Sequence, residues 1–454
     1  MLEVYPVTVA PARAAALHVL ARVRRDGAFS GPVLAAELSR AKLSADDAAL
    51  ATRLAYGTIG AEGVLDEAID THLRGAVEPR IRDVLRLAAF ELLFGRAPAY
   101  AIVDQAVGAA RTVRPQAAGL VNAVVRRVSE RAASFPWGDP GEDPAALARL
   151  AGHPRWILDV AVASLGEDAA REMFACGLEP APSFVRLDPF ARDREATLMA
   201  LRPGEPVSYP PDGDCYVLGQ PRAVYGVAAS SAGWFAMDAA AQLAPRVVAP
   251  GPGMRILDVG AGRGNKTVCM QALAVAAGGP AEITAVDLNE GKSSALVRRL
   301  EESQVPGVAV ITADAIDLAT RFGTDAFDAV LVDAPCSGLG TLRRYPEKRW
   351  RIGPETPGSL HALQVELVSA AARVVRSGGA LVYSTCSIAR EENGGVIDDL
   401  LASDVGSDFA LEALTEVIPA EWGTFRDGRG CFQSWPRSGG PDGHFVALLR
   451  RNER

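Results

Sequence analysis

The sequence reads as a multidomain chain, all-helical at its start and α/β at its end, on three observations. Apolar residues recur at helical spacing through residues 8–132. A run dense in proline, glycine and acid follows at 133–150. From 229 to 454, short apolar strands alternate with helical stretches.

In the first region Ile102, Val103, Ala106, Val107 and Ala110 trace one apolar face, and Leu120, Val121, Val124, Val125 and Val128 another. Ser44 before Asp46 and Asp47 has the form of a helix N-cap with an acidic first turn. Arginines cluster at 22, 24 and 25, at 80, 82 and 86, and at 111, 114, 126 and 127; the simple reading is a solvated face. The composition of 133–150 marks a linker. Residues 151–228 read as a small α+β domain, with a helix after Pro154, a strand at 183–187 and turns across 203–213.

The last region offers strands at 255–259, 283–287, 308–312, 329–333, 380–385 and 445–449. Their alternation with helices implies a mostly parallel, Rossmann-like sheet covered on both faces. Such sheets bind ligands at the carboxyl ends of their strands. Every polar motif discussed below falls at such an end.

Composition narrows the function classes. The 454 residues are 49% hydrophobic and 22% charged, as in ordinary soluble proteins. No apolar run approaches the roughly eighteen residues of a membrane span, and the first 25 residues lack the basic start of a signal peptide. Six cysteines without a Cys-x-x-Cys pair suit a reducing cytoplasm, and five isolated histidines suggest no metal site. A net charge of −8 disfavours indiscriminate phosphate binding, so nucleic-acid contact must rest on local patches.

Residues 260–267, Gly260-Ala261-Gly262-Arg263-Gly264-Asn265-Lys266-Thr267, form a tight turn between a strand and a helix start. The spacing is not Gly-x-Gly-x-x-Gly, the dinucleotide pattern. Asp287 closes the next strand, where an acid can take both ribose hydroxyls, and Asp314 follows the third, where adenine edges lie. Each acid alone could cap a loop. The glycine turn and the two acids, in register after three successive strands, favour S-adenosyl-L-methionine.

Two more strand ends carry cysteines, Cys336 in Asp333-Ala334-Pro335-Cys336-Ser337-Gly338 and Cys386 in Thr385-Cys386-Ser387. Most lone cysteines are small buried hydrophobes; two in strand-end loops point to an activated thiol. Carbon 5 of cytosine is a poor nucleophile until a thiolate adds at carbon 6. A donor at ring nitrogen 3 assists that addition. Methylation of an exocyclic amine uses an Asp/Asn-Pro-Pro-aromatic loop, absent here. The stretch 343–351, with Arg343, Arg344, Lys348, Arg349 and Trp350, combines cations with aromatic surface and reads as an RNA contact.

These motifs resemble the RsmB (Sun/Fmu) family of RNA cytosine-5 methyltransferases across nearly the whole chain. The likeness lies in Asp333-Ala334-Pro335-Cys336-Ser337, in Arg343 through Trp350, in Thr385-Cys386-Ser387 with Glu391-Glu392-Asn393, and in 237–242. The helical N-terminus, with 54–58 and 121–127, is similar to the NusB-type RNA-binding domain of that family. The resemblance implies that Cys386 is the nucleophile, that Cys336 assists product release, and that Asp333 touches target base and cofactor. It implies that Asp287, Asp314 and Lys266 serve S-adenosylmethionine. The implied substrate is small-subunit (16S) ribosomal RNA before full assembly, with no metal and no membrane, acted on by a monomer. The first motif departs from the family's Cys-Ala-Ala-Pro-Gly-Gly-Lys-Thr at Gly262, Arg263 and Asn265. Arg263 either faces solvent or crowds the cofactor, and Asn265 is expected to tolerate a left-handed backbone. The other readings are the same chemistry on transfer RNA, and an RNA-binding assembly factor whose altered turn holds no cofactor. A nicotinamide dehydrogenase has no use for the two cysteines.

Overall fold

The computed structural model describes residues 9–188, 190, 193–202, 205–219 and 233–453. The chain forms two compact units. The first ends its main stretch at Val162 and adds Gly166–Pro180 and Leu342–Pro354; the second comprises Ala163–Leu165, Ala181–Thr341 and Glu355–Arg454.

The first unit is helical: α1 (Pro11–Asp26), α2 (Ser30–Ala41), α3 (Ala45–Gly60), α4 (Glu62–Asp70), α5 (Pro79–Phe94), α6 (Ala99–Val113) and α7 (Ala118–Ala132). Both apolar faces read from the sequence reach its core, where Ile102, Ala106, Ala110, Val121, Val124, Val125 and Val128 are buried with Leu17, Leu65 and Leu85, whereas Leu120, read as part of the second face, is exposed. Ser44 caps α3, its hydroxyl accepting from Asp47 N at 3.1 Å. Several arginines are spent within the unit: Arg24 lies 2.9 Å from Asp83, and Arg86 2.6 Å from Asp66.

The expected linker is packed structure. Phe135 meets Phe94 edge-on at 5.0 Å, and the Arg131 guanidinium lies 4.2 Å over the Trp137 ring. Asp143 then caps α8 (Pro144–Leu150), accepting from Ala145 N at 2.8 Å. The prolines and glycines shape the turns, while the aromatic rings among them supply the packing. Helices α9 (Arg155–Leu165) and α10 (Glu167–Ala175) follow. The domain expected at 151–228 is therefore divided: most of 151–180 belongs to the helical unit and the rest to the second.

The second unit carries a small antiparallel sheet of order β2-β3-β1-β4, made of β1 (Ser183–Leu187), β2 (Pro206–Ser208), β3 (Cys215–Leu218) and β4 (Trp234–Ala236). Its main sheet follows the order β10-β12-β9-β8-β5-β6-β7, with β11 paired to β12. These strands are β5 (Arg255–Val259), β6 (Glu282–Asp287), β7 (Val308–Thr312), β8 (Phe327–Asp333), β9 (Val375–Thr385), β10 (Phe409–Glu412), β11 (Phe432–Gln433) and β12 (Phe445–Arg451). Strands β5 to β9 pair in parallel; β12 runs antiparallel to β9. Leu257, Val330, Leu331, Leu381 and Val382 are fully buried, as expected of strands covered on both faces. The order reverses at β5, from which the chain first moves out through β6 and β7 and then returns to β8. That switch point is where such sheets bind ligands. Registers Val259↔Val332 and Asp333↔Ser384 set the loops after β5, β8 and β9 side by side.

Among the described residues no helix is long and apolar enough to cross a membrane, and no group of three or more His, Cys, Asp or Glu could hold a metal ion.

Candidate active site

The turn after β5 is built on three glycines in the left-handed region, Gly260 (φ +77°), Gly262 (φ +59°) and Gly264 (φ +82°). Space as well as backbone demands glycine at two of them. A Cβ on Gly260 would stand 2.4 Å from the Asp333 carbonyl oxygen, and one on Gly264 2.1 Å from Leu296 Cδ1. Asn265 is the first residue of the next helix (Asn265–Ala276), so the left-handed positions fall on glycines and not on it. Its side chain ties the turn down: Nδ2 donates to the Ala236 carbonyl at 3.2 Å, and Oδ1 accepts from Arg299 at 2.6 Å. Arg263 is exposed.

Asp287 Oδ2 accepts from Gly262 N at 3.0 Å and Oδ1 from Asn289 N at 2.8 Å, which fixes this carboxylate beside the turn. Asp314 is exposed and caps a short helical turn, accepting from Ile316 N at 3.0 Å. A tight turn of left-handed glycines, which lets a ligand approach the backbone, next to an oriented carboxylate suits a nucleoside with ribose hydroxyls. On this ground the residues fit S-adenosylmethionine.

Lys266 and Asp333 form an ion pair of 2.7 Å between Nζ and Oδ2. Burial works against the ammonium, but the Asp333 carboxylate and the Cys386 sulfur outweigh it and hold the amine above the usual lysine range. Behind the turn Asp258 is fully buried, and burial pushes its carboxyl up to about 7 although the Thr267 hydroxyl donates to it at 2.6 Å.

Cys336 and Cys386, fifty residues apart in sequence, come within 3.3 Å, Sγ to Sγ. Neither is disulfide-bonded, and both are half-buried, whereas Cys176, Cys215, Cys269 and Cys431 are buried. The hydrogen bond to Cys386, and then burial, raise the Cys336 thiol well above its ordinary range. Either sulfur can be the donor in this contact. The Cys386 loop is tied by Gly340 N donating to the Cys386 carbonyl at 3.0 Å, and by Asn393 Nδ2 donating to the Ser387 carbonyl at 3.0 Å. Such an arrangement, two sulfurs in hydrogen-bond contact beside a cation–carboxylate pair, can form and release a bond to an electrophilic ring carbon.

The basic aromatic stretch lies in the helical unit and is largely structural there. Arg349, on the short helix Lys348–Arg351, is 2% exposed. It donates to the carbonyls of Gly177 at 2.6 Å, Gly152 at 3.1 Å and Leu342 at 3.3 Å. Burial lowers its guanidinium to about 9. Trp350 Nε1 donates to the Gly60 carbonyl at 2.8 Å, its ring filling the space a Cβ on Gly63 would need. Arg343 is also buried, and Glu347 accepts from the Ser30 hydroxyl at 2.7 Å. The expected RNA contact through Arg343, Arg349 and Trp350 is corrected on this point: their polar groups face the interior of the unit. Arg344 and Lys348 are partly exposed. Reading the sequence missed Gln364, whose Nε2 donates to the Pro335 carbonyl at 2.8 Å; no motif marks it. Glu392 was in view only as part of Glu391-Glu392-Asn393, with no role.

Comparison with known proteins follows the same division. A family model described as 16S rRNA methyltransferase RsmB/F matches residues 245–450, and one described as the NusB family matches 10–130. The chain is 34% identical over 441 residues to the ribosomal RNA small subunit methyltransferase B of Thermus thermophilus, covering 97% of each. It is 32% identical over 414 residues to that of Pseudomonas putida, covering 88% of this chain and 92% of the other. In fold it resembles the crystal structure of PH0851, with a TM-score of 0.80 at 22% identity over 99% of this chain and 100% of that one. The structure of NSun6 from Pyrococcus horikoshii with SFG gives a TM-score of 0.57 at 18% identity, over 66% of this chain and 99% of that one.

Proposed function

The chain belongs to the 16S rRNA methyltransferase RsmB/F family and uses S-adenosylmethionine, and from that premise we propose that it forms 5-methylcytosine in small-subunit ribosomal RNA through a transient bond from Cys386 to cytosine C6. The observation that carries the proposal is the 3.3 Å pair of sulfurs at the ends of β8 and β9.

Cys386 Sγ adds to C6, and the C5=C6 electrons move to C5, which becomes nucleophilic as an enamine carbon. Asp333 is the group to meet the ring at N3, and it neutralises the charge that develops there by passing on a proton, which the paired Lys266 ammonium can supply. When bound, S-adenosylmethionine supplies an electrophilic methyl group for C5. Loss of the C5 proton to a base then restores the double bond and breaks the S–C6 bond. Cys336, whose sulfur lies 3.3 Å from the departing one, assists that release. Asp287 would hold the ribose of the cofactor, and Asp314 its adenine edge, beside the glycine turn 260–264. The ring's exocyclic amine is not the target in this scheme, because no Pro-Pro-aromatic loop follows Asp333.

The rRNA substrate is favoured by the relatives' names and by the NusB-type helices; we place the enzyme in the cytoplasm as a monomer acting before full ribosome assembly. The test is methyl transfer from labelled cofactor to unmodified small-subunit RNA and, in parallel, to transfer RNA, with the labelled base identified. Label at cytosine C5 of ribosomal RNA is expected. Label confined to transfer RNA, or no label in either, overturns the substrate or the reaction. Cys336→Ala should accumulate a protein–RNA adduct that survives a denaturing gel; a variant that turns over without one removes the release role.

A further inference from the structure

Beside each cysteine stands a serine, and both serines reach the same buried carboxylate. Glu392, on the short turn Arg390–Glu392, is fully buried. Its Oε1 accepts from Ser337 N at 2.7 Å and from Gln364 Nε2 at 3.2 Å. Its Oε2 accepts from the hydroxyls of Ser337 and Ser387, each at 2.5 Å. Its backbone carbonyl accepts from Tyr383 OH at 2.7 Å. A buried carboxylate is costly unless its lone pairs are satisfied by donors; here four donors converge on it. Two of the residues supplying them directly follow Cys336 and Cys386. The carboxylate thus links the loop after β8 to the loop after β9 at the one point where two sulfurs must stay in contact.

We propose that Glu392 is a positioning residue for the reaction proposed above: by bonding Ser337 and Ser387 together it sets the separation of Cys336 and Cys386. It touches neither substrate nor cofactor. Its effect should therefore fall on the geometry of the sulfurs and leave the cofactor turn alone.

That geometry can be read without RNA. Sulfurs 3.3 Å apart need to close to only about 2.05 Å to form a disulfide. An azodicarboxamide oxidant supplies the chemistry: the two thiols lose two protons and two electrons as the S–S bond forms, and the N=N bond takes them up as a hydrazine. The full-length protein and its Glu392→Ala and Glu392→Gln variants would be treated with this oxidant. Mass spectrometry would follow the 336–386 cross-link, and circular dichroism and cofactor affinity would serve as controls. Glu392→Ala is expected to slow the cross-link at least about tenfold and methyl transfer about a hundredfold, the loss typical of a small misplacement of reacting groups. Cofactor affinity should stay within about twofold, and Glu392→Gln should lie between Ala and native in both rates. A folded, cofactor-binding Glu392→Ala protein that cross-links and turns over at native rates overturns the proposal. Should Glu392→Ala not fold, the double variant Ser337→Ala/Ser387→Ala removes both hydroxyl donors and is held to the same two outcomes. A slowed cross-link in a protein that labels no cytosine C5 would sustain the positioning role and sink the proposed reaction instead.

Discussion

Loops 333–338 and 343–351 are neighbours in sequence, and both read there as functional, yet they dispose of their polar groups in opposite ways. In the first, Cys336 is half-buried and meets Cys386 across the ends of two paired strands. In the second, Arg349 is 2% exposed and its guanidinium is spent on carbonyls as far off in sequence as Gly60. The difference lies in side-chain reach. A cysteine is short, so its sulfur stays where the strand end puts it. An arginine carries its charge several bonds from the backbone and can serve the interior as easily as a ligand. Cations and aromatic rings in one stretch therefore say less about binding than a cysteine at a strand end.

The strongest way to break this comparison is at Cys386, the proposed nucleophile. Cys386→Ala should reduce methyl transfer by more than about a thousandfold while RNA affinity stays near native. Appreciable turnover by that variant would leave the half-buried pair without its assigned chemistry. Next is the arginine that the comparison calls structural. Arg349→Ala leaves three buried carbonyls without their donor and should lower unfolding stability by about 3 kcal/mol or more in a urea titration. Native stability with weakened RNA binding would restore Arg349 to the surface role read from the sequence.

A smaller effect concerns Asp258, a buried carboxyl with one hydroxyl donor. Its pKa in the folded chain, about 7, stands above the ordinary 3.8. Between those values the folded state holds a proton that the unfolded state has released. Stability contributed by this group is thus present at low pH and lost as pH rises from about 4 to 7. Asp258→Asn should flatten that slope and leave the variant on the order of 1 kcal/mol or more steadier than native at pH 8. An unchanged slope in denaturant titrations from pH 5 to 8 would refute the assignment. The smallest change is expected from the partly exposed pair. Arg344→Ala with Lys348→Ala should weaken RNA binding several-fold and lessen its salt dependence, with stability within about 0.5 kcal/mol of native. If affinity does not move, the whole stretch is structural.

Much of the architecture was legible locally. Strands β5 and β7 fall at the expected residues, and β6, β8 and β9 differ only by extension at their starts, because an apolar run bounded by turn residues declares itself over a few positions. The short strand β10 was not foreseen, nor was the packing of Phe135 and Trp137 in the supposed linker. Both depend on partners distant in the chain. Asp287 and Asp314 looked alike in sequence, each following a strand. The structure separates them, one bonded to the glycine turn and the other exposed and capping its own loop.

By itself the sequence determined which residues end each strand and that several of those ends carry reactive or polar groups, since strand formation and turn chemistry are short-range. Only the tertiary structure decided that β8 lies next to β9 in the register Asp333↔Ser384, and hence that two sulfurs fifty residues apart meet. Strand order is set by packing over the whole sheet, which no local pattern encodes. The same holds for Glu392 and Arg349. A buried polar side chain must be satisfied by whatever donors or acceptors the fold brings to it, and those come from everywhere along the chain.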